Sequence, residues 1–112
     1  MLKKEDILSK FTSSTKTYES KVFEGEQIKV KKLSISERVV VDGVMLKNAK
    51  FEGSKVTKIP PSDYNKAAYI ATAYGMVEPK MTLEEIESLD NNALPFAIEV
   101  FEQIQELDKP KN

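Results

Sequence analysis

The stretch Gln27-Ile28-Lys29-Val30-Lys31-Lys32-Leu33-Ser34-Ile35-Ser36-Glu37 changes its hydrophobic period partway along, and that change decides the fold class. Ile28 and Val30 alternate with Gln27, Lys29 and Lys31, the period of two that a half-buried strand requires. Ser34 and Glu37 then stand three apart. In that spacing the Ser34 hydroxyl accepts from the N–H three residues on, and the Glu37 carboxylate reaches back to the N–H of Ser34. A strand therefore gives way directly to a helix. Upstream, Tyr18-Glu19-Ser20-Lys21-Val22-Phe23 reads as the partner strand, and Gly25 within Glu24-Gly25-Glu26 supplies the turn. Residues 16–33 are thus expected to form a hairpin with one apolar face and one lysine-rich face.

Downstream of the cap, two signals compete. Val39-Val40-Val41 favours a strand and Asp42-Gly43 a hairpin turn. The capping box favours a helix to about Lys47 that carries Val40, Val41 and Val44 inward, and that is the reading taken. Residues 48–61 read as a loop, broken at Gly53-Ser54 and stopped at Pro60-Pro61, with a short strand over 55–59 as the alternative. Ser62 is the expected cap of the next helix, with Asp63 in its first turn. Tyr64, Ala67, Ala68, Ala71 and Tyr74 recur at helical spacing, and Gly75 is expected at the C′ position. Met76 to Met81 reads as a linker. Thr82 and Glu85 form a second capping box for a short helix through Leu89, ended by Asp90-Asn91-Asn92.

The last helix is expected from about Leu94 to Leu107, with Pro95 in its first turn. Ala97, Val100, Phe101, Ile104 and Leu107 form its apolar stripe, and residues 108–112 read as a frayed tail. At the other end, Leu2, Ile7, Leu8 and Phe11 lie near one face of a short amphipathic helix. The polar run Thr12-Ser13-Ser14-Thr15 breaks it, so residues 1–15 read as an arm that docks on a partner. The expected architecture is α+β: one domain over 1–112, its N-terminal hairpin packed against a bundle of three to four short helices, with 34–112 mainly helical.

Composition narrows the function. Of 112 residues, 40% are apolar and 31% charged, which is globular on the polar side. There is no cysteine and no histidine. Thiolate nucleophiles, disulfides and zinc-thiolate sites are excluded together, as are the commonest general base and the commonest transition-metal ligand. The four isolated glycines build no phosphate loop. The carboxylates Glu84, Glu85, Glu87 and Asp90 crowd one short helix rather than converging from several elements, which is a solvated face and not a divalent-metal site. An enzyme is the weakest reading, and no catalytic residue, cofactor or metal is expected. The first residues lack the apolar run of a signal peptide, and the apolar stretches are too short to span a bilayer, so a cytoplasmic protein is expected.

Residues 1–58 hold 13 Lys and Arg against 8 acidic residues, a net of +5; residues 59–112 hold 4 against 10, a net of −6. Opposite halves of this kind can pair head to tail between copies, although ordinary solvated faces of both signs explain the same counts. The lysines Lys21, Lys29, Lys31 and Lys32, with Tyr18 and Phe23 nearby, raise nucleic-acid binding as a rival. A slightly acidic chain with a single arginine, Arg38, argues against it.

Two blocks of this sequence resemble the tail assembly chaperones of long-tailed bacteriophages. The first is the charged hairpin with a glycine turn running into a Leu-Ser/Thr-x-x-Glu-Arg segment, here Val22 through Leu33-Ser34-Ile35-Ser36-Glu37-Arg38. The second is a small residue, Val-Glu-Pro and a capped helix start, here Gly75-Met76-Val77-Glu78-Pro79-Lys80-Met81-Thr82-Leu83-Glu84-Glu85-Ile86, followed by a closing amphipathic helix. With that helix the blocks cover about two-thirds of the chain. The stretch 39–61 departs from the family pattern, which has a longer continuous helix there. The resemblance implies a protein that binds the tape measure protein, keeps it soluble, helps to recruit tail tube subunits and self-associates in the bacterial host cytoplasm; a frameshifted longer form is also in keeping with it. Tyr74, Phe96, Val100 and Phe101 are the contact candidates, Phe96 because it lies off the line of the stripe. The rivals are a nucleic-acid-binding regulator and another tail structural or completion protein.

Overall fold

In the computed structural model, described for residues 1–11 and 14–109, the fold is α+β with an N-terminal hairpin. Strands β1 (Thr15–Glu19) and β2 (Gln27–Lys31) pair antiparallel, with Tyr18 opposite Ile28 and Lys16 opposite Val30. The alternation read from the sequence sets this register. Ile28 and Val30 point into the core, while Gln27, Lys29 and Lys31 do not reach it. The first strand lies earlier than expected, opening at Thr15 and ending at Glu19. Residues 20–26 form the connection, held by Ser20 N–H donating to Glu26 O (2.9 Å) and by Gly25 at φ +83°.

Helix α2 (Ile35–Met45) follows, and its capping box is formed as expected. The Ser34 hydroxyl accepts from Glu37 N–H at 3.2 Å, and Glu37 Oε1 accepts from Ser34 N–H at 2.9 Å. A local cap thus overrides the strand preference of three consecutive valines. Val41 is buried and Val44 partly so, but Val40 is exposed, which corrects its expected inward placement. The region 48–61 is not a plain loop. Strands β3 (Lys50–Glu52) and β4 (Lys55–Lys58) make a small separate hairpin, turned at Gly53 with φ +64°.

Helix α3 (Pro61–Gly75) is the central element, packed on both α2 and α5. Pro60 is its N-cap and Pro61 its first residue, so Ser62 lies inside the first turn and is not the cap. Proline at that position loses no hydrogen bond, because the first N–H groups of a helix have no internal acceptor. Ala67, Ala68, Ala71 and Ala73 are buried and let the neighbouring helices approach closely. Gly75 is also corrected. It closes the helix with ordinary right-handed backbone, not the left-handed C′ form. A Cβ there would press on Ile104 Cγ1 at 3.0 Å and Leu33 Cδ2 at 3.3 Å, so glycine is needed for space.

The expected linker after Gly75 contains strand β5 (Met76–Glu78), which joins the opposite edge of β2 to give the order β1-β2-β5. Helix α4 (Leu83–Glu87) carries the second capping box, Thr82 with Glu85. It stops short of Leu89. A single 3-10 turn (Asn91–Ala93) then leads into α5 (Leu94–Asp108). The core lies between the inner face of the sheet and the layer formed by α3 and α5: Tyr18, Ile28, Val30 and Met76 meet Ala97, Val100, Phe101 and Ile104. Helix α1 (Lys4–Lys10) contributes nothing to it, and every residue from 1 to 11 is exposed. Thr15, expected in the arm, instead opens β1, and Asp108, expected in the frayed tail, ends α5; residues 12, 13 and 110–112 lie outside the described residues. Among the described residues no helix is long and apolar enough to cross a membrane.

Candidate interaction surfaces

The contact candidates on α5 are placed in the core. Val100 and Phe101 are buried, and Phe101 packs against the Tyr64 ring with centroids 5.6 Å apart. Phe96, although off the line of the stripe, is buried too. It meets the edge of Phe23 at 5.2 Å and 82°, a favourable aromatic geometry. Tyr74 is half-buried against the same core. All four side chains are engaged in internal packing, so α5 offers a partner little of its apolar stripe.

On the polar side of α5, Glu99 fastens the hairpin to the helix. Its Oε1 accepts from Ser20 Oγ (2.8 Å) and Tyr18 Oη (3.2 Å), and its Oε2 from the N–H groups of Lys21 (2.8 Å) and Val22 (3.3 Å). Burial, followed by the Glu99 charge and hydrogen bond, pushes the Tyr18 phenol well above its ordinary value. The stacking aromatics of the nucleic-acid rival are therefore both engaged, Tyr18 with Glu99 and Phe23 with Phe96. Two of its four lysines have an acidic neighbour. Lys31 pairs with Glu37 at 3.2 Å, and Lys29 sits opposite Glu78 in the sheet. At Glu37, burial alone would raise the pKa; the Ser34 N–H and the Lys31 ammonium outweigh it and hold the carboxyl below its ordinary value.

The surface that sequence reasoning missed is the outer side of α2. Ile35 is 87% exposed, Val39 65% and Val40 44%, and Ser36 and Gly43 lie exposed among them. Ile35, Val39 and Gly43 are successive i, i+4 positions, so they form one row along the helix. The solvent side of a helix ordinarily carries charge. The row itself carries no charge: Glu37 is held by the cap and Lys31, and the partly exposed Arg38 and Asp42 that border the row are paired with each other, Arg38 also with Asp108. Gly43 is the informative residue. It lies within the helix with right-handed backbone, and a Cβ there would meet nothing within 4 Å. Nothing inside this fold requires a glycine at 43, and glycine within a helix costs about 0.5–1 kcal/mol relative to alanine. The signal legible in the sequence was the glycine on the same helical row as two β-branched residues.

A second surface is the groove between α3, α4 and the start of α5, about 320 Å³ in volume. Tyr69, Met81, Ile86, Leu94 and Ala97 line its floor, with Leu89, Glu87 and Asp90 among its other walls. Among the described residues no cluster of acidic side chains could hold a metal ion. Glu85 and Asp90 are used as caps, on Thr82 N–H and Asn92 N–H respectively. Compared with family models, with curated proteins and with solved structures, the chain matches none of them.

Proposed function

We propose that this protein acts by binding and not by catalysis, as an assembly chaperone that holds an apolar helix of a client chain against the outer side of α2. The client is the tape measure protein of a long-tailed phage, held in the bacterial cytoplasm until the tail tube forms around it. The observation that carries this reading is the uncharged row Ile35-Val39-Gly43 on the solvent side of α2. An apolar helix face left open to water is an interaction surface, and a glycine at the end of its row lets a second helix approach backbone to backbone, as small residues do between α3 and α5 in this same molecule. A long helical client that exposes apolar stripes is the partner such a row suits. The order of the two sequence blocks, with the Leu-Ser-x-x-Glu-Arg segment at the start of α2, supports the phage assignment.

The test is capture of partners by tagged protein in a phage-producing or lysogenic culture, with mass spectrometry of what is retained. The wild type should hold a very long, helix-rich phage protein in stoichiometric amount. Val39→Asp should lose it while keeping the wild-type circular dichroism spectrum and Tm. Equal retention by Val39→Asp would remove α2 as the docking face, and retention of nucleic acid alone would return attention to the lysines of the hairpin.

A further inference from the structure

Helix α1 poses a physical problem. It has seven residues, and every residue from 1 to 11 is exposed. Isolated helices below about 12 residues are marginal in water, and most helix stability comes from packing of an apolar face. Yet α1 has such a face. Ile7 and Phe11 stand four apart, and Leu2 and Ile7 occupy the N′ and N4 positions at which a hydrophobic pair fixes the start of a helix. Phe11 is 75% exposed and Leu2 71%. In the same molecule the α3/α4/α5 groove lies open, its lining mostly apolar with two carboxylates, Glu87 and Asp90.

We infer that α1 of one copy docks in the α3/α4/α5 groove of a second copy, so that the chain self-associates head to tail. Charge selects this occupant. Lys3, Lys4 and Lys10 each stand three or four residues from Ile7, so they flank its stripe, whereas Glu5 and Ser9 fall on the opposite side and Asp6 on the edge, where its carboxylate accepts from the Lys3 N–H. The groove presents Glu87 and Asp90 at its wall, beside Glu84 and Glu85 on α4. The two surfaces also belong to the halves of the chain with net charges of +5 and −6. Phe11 and Ile7 would lie on the floor made by Tyr69, Met81, Ile86 and Leu94, with the lysines toward the acidic wall. Because the two surfaces differ, the contact is heterologous, and repeated it makes a ring or an open chain. The inference concerns a different face from the proposed client site on α2, so either can fail alone.

Analytical ultracentrifugation of the full chain across concentration and salt tests it. The wild type should associate reversibly, and less so as salt screens the lysines. The double variant Ile7→Asp/Phe11→Asp and the single variant Leu89→Asp should each be folded and weakened in association by more than about tenfold, the scale expected for central contacts. All three positions are exposed, so their substitution leaves the core untouched. An equimolar mixture of the two variants has one intact arm and one intact groove. It should form a heterodimer that goes no further. A monomeric wild type, an assembly that survives Ile7→Asp/Phe11→Asp, or a mixture that stays monomeric would each overturn the inference. Client capture by Ile7→Asp/Phe11→Asp, measured in parallel, reports on the α2 reading separately and should be retained.

Discussion

Helices α3 and α2 each contain a glycine in right-handed backbone, Gly75 in the last turn of one and Gly43 near the end of the other. Around Gly75 the protein has closed in. Ile104 and Leu33 occupy the space that a side chain would take, and the helix pairs with α5 at short range through a row of alanines. Around Gly43 there is open space, with exposed Ile35, Val39 and Val40 beside it. The α3 face is an interface completed within the chain. The α2 face has the same ingredients and no internal partner among the described residues. The comparison teaches that a small residue on a helix is read by what stands opposite it, and that an unexplained one directs attention outward.

The largest effect is expected where the interface is closed. Ile104 is fully buried against Gly75, so Ile104→Ala should destabilise the fold by about 2–5 kcal/mol in denaturant melts, the usual range for a buried aliphatic truncated to alanine. A loss well under 1 kcal/mol would mean that the α3–α5 contact is looser than drawn. Gly75→Ala should come next, at about 1–3 kcal/mol, since the added methyl overpacks a filled site. Its cost should shrink in an Ile104→Ala background, because the truncation clears the space; simple additivity would break the closed-interface reading.

The same chemical change should reverse sign in α2. Gly43→Ala is expected to stabilise the protein by about 0.5–1 kcal/mol, visible as a rise of a few degrees in Tm, because helix propensity improves and nothing is crowded. It should nonetheless weaken client capture, since the methyl stands where the partner backbone would approach. A variant that gains stability and keeps full capture would sharpen the comparison differently, leaving Gly43 without a role.

A smaller effect distinguishes the regions by pH. Glu37, at the start of α2, has a lowered pKa, so the unfolded chain binds its proton more readily; the stability it contributes is present above the ordinary carboxylate range near about 4.3 and lost as pH falls through its folded value. Tyr18, beneath the sheet, has a raised pKa, so its contribution is present below about 10 and lost as pH rises beyond that. Hydrogen exchange should therefore show the α2 start loosening on the acid side and the junction between hairpin and α5 on the alkaline side. A junction that does not loosen as pH rises past about 10 would contradict the assignment.

What the sequence disclosed about the fold was whatever a few neighbouring residues decide. The strand β2 was legible from the alternation of Ile28 and Val30, α2 and α4 from their capping boxes, and α5 from its stripe. Strand β5 was not, because Met76, Val77 and Glu78 are strand only by pairing with β2 more than forty residues earlier. Of the hairpin β3–β4, the turn at Gly53 and an alternative strand over 55–59 were legible but β3 was not, and Gly75 offered the same letter for a cap as for a close approach. The interaction surface was less legible than the fold. Phe96, Val100 and Phe101 look alike on paper whether an amphipathic helix turns them to its own core or to a partner, and here they went inward. The α2 row stayed hidden behind a valine run whose faces could be sorted only once the helix was placed against α3.

The Glu99 carboxylate has a consequence for how the chain is made. It gathers donors from Tyr18, Ser20, Lys21 and Val22, all 77 to 81 residues earlier in sequence. On the ribosome the two strands of the hairpin emerge first, and domains form as units only once their parts are present. Until α5 has been synthesised, the tip of the hairpin has no acceptor for its amides and the inner side of β2 has no lid. The hairpin therefore stays unlatched while the residues between Val22 and Glu99 are made, and translation of the segment around Glu99 is the moment at which it is sealed.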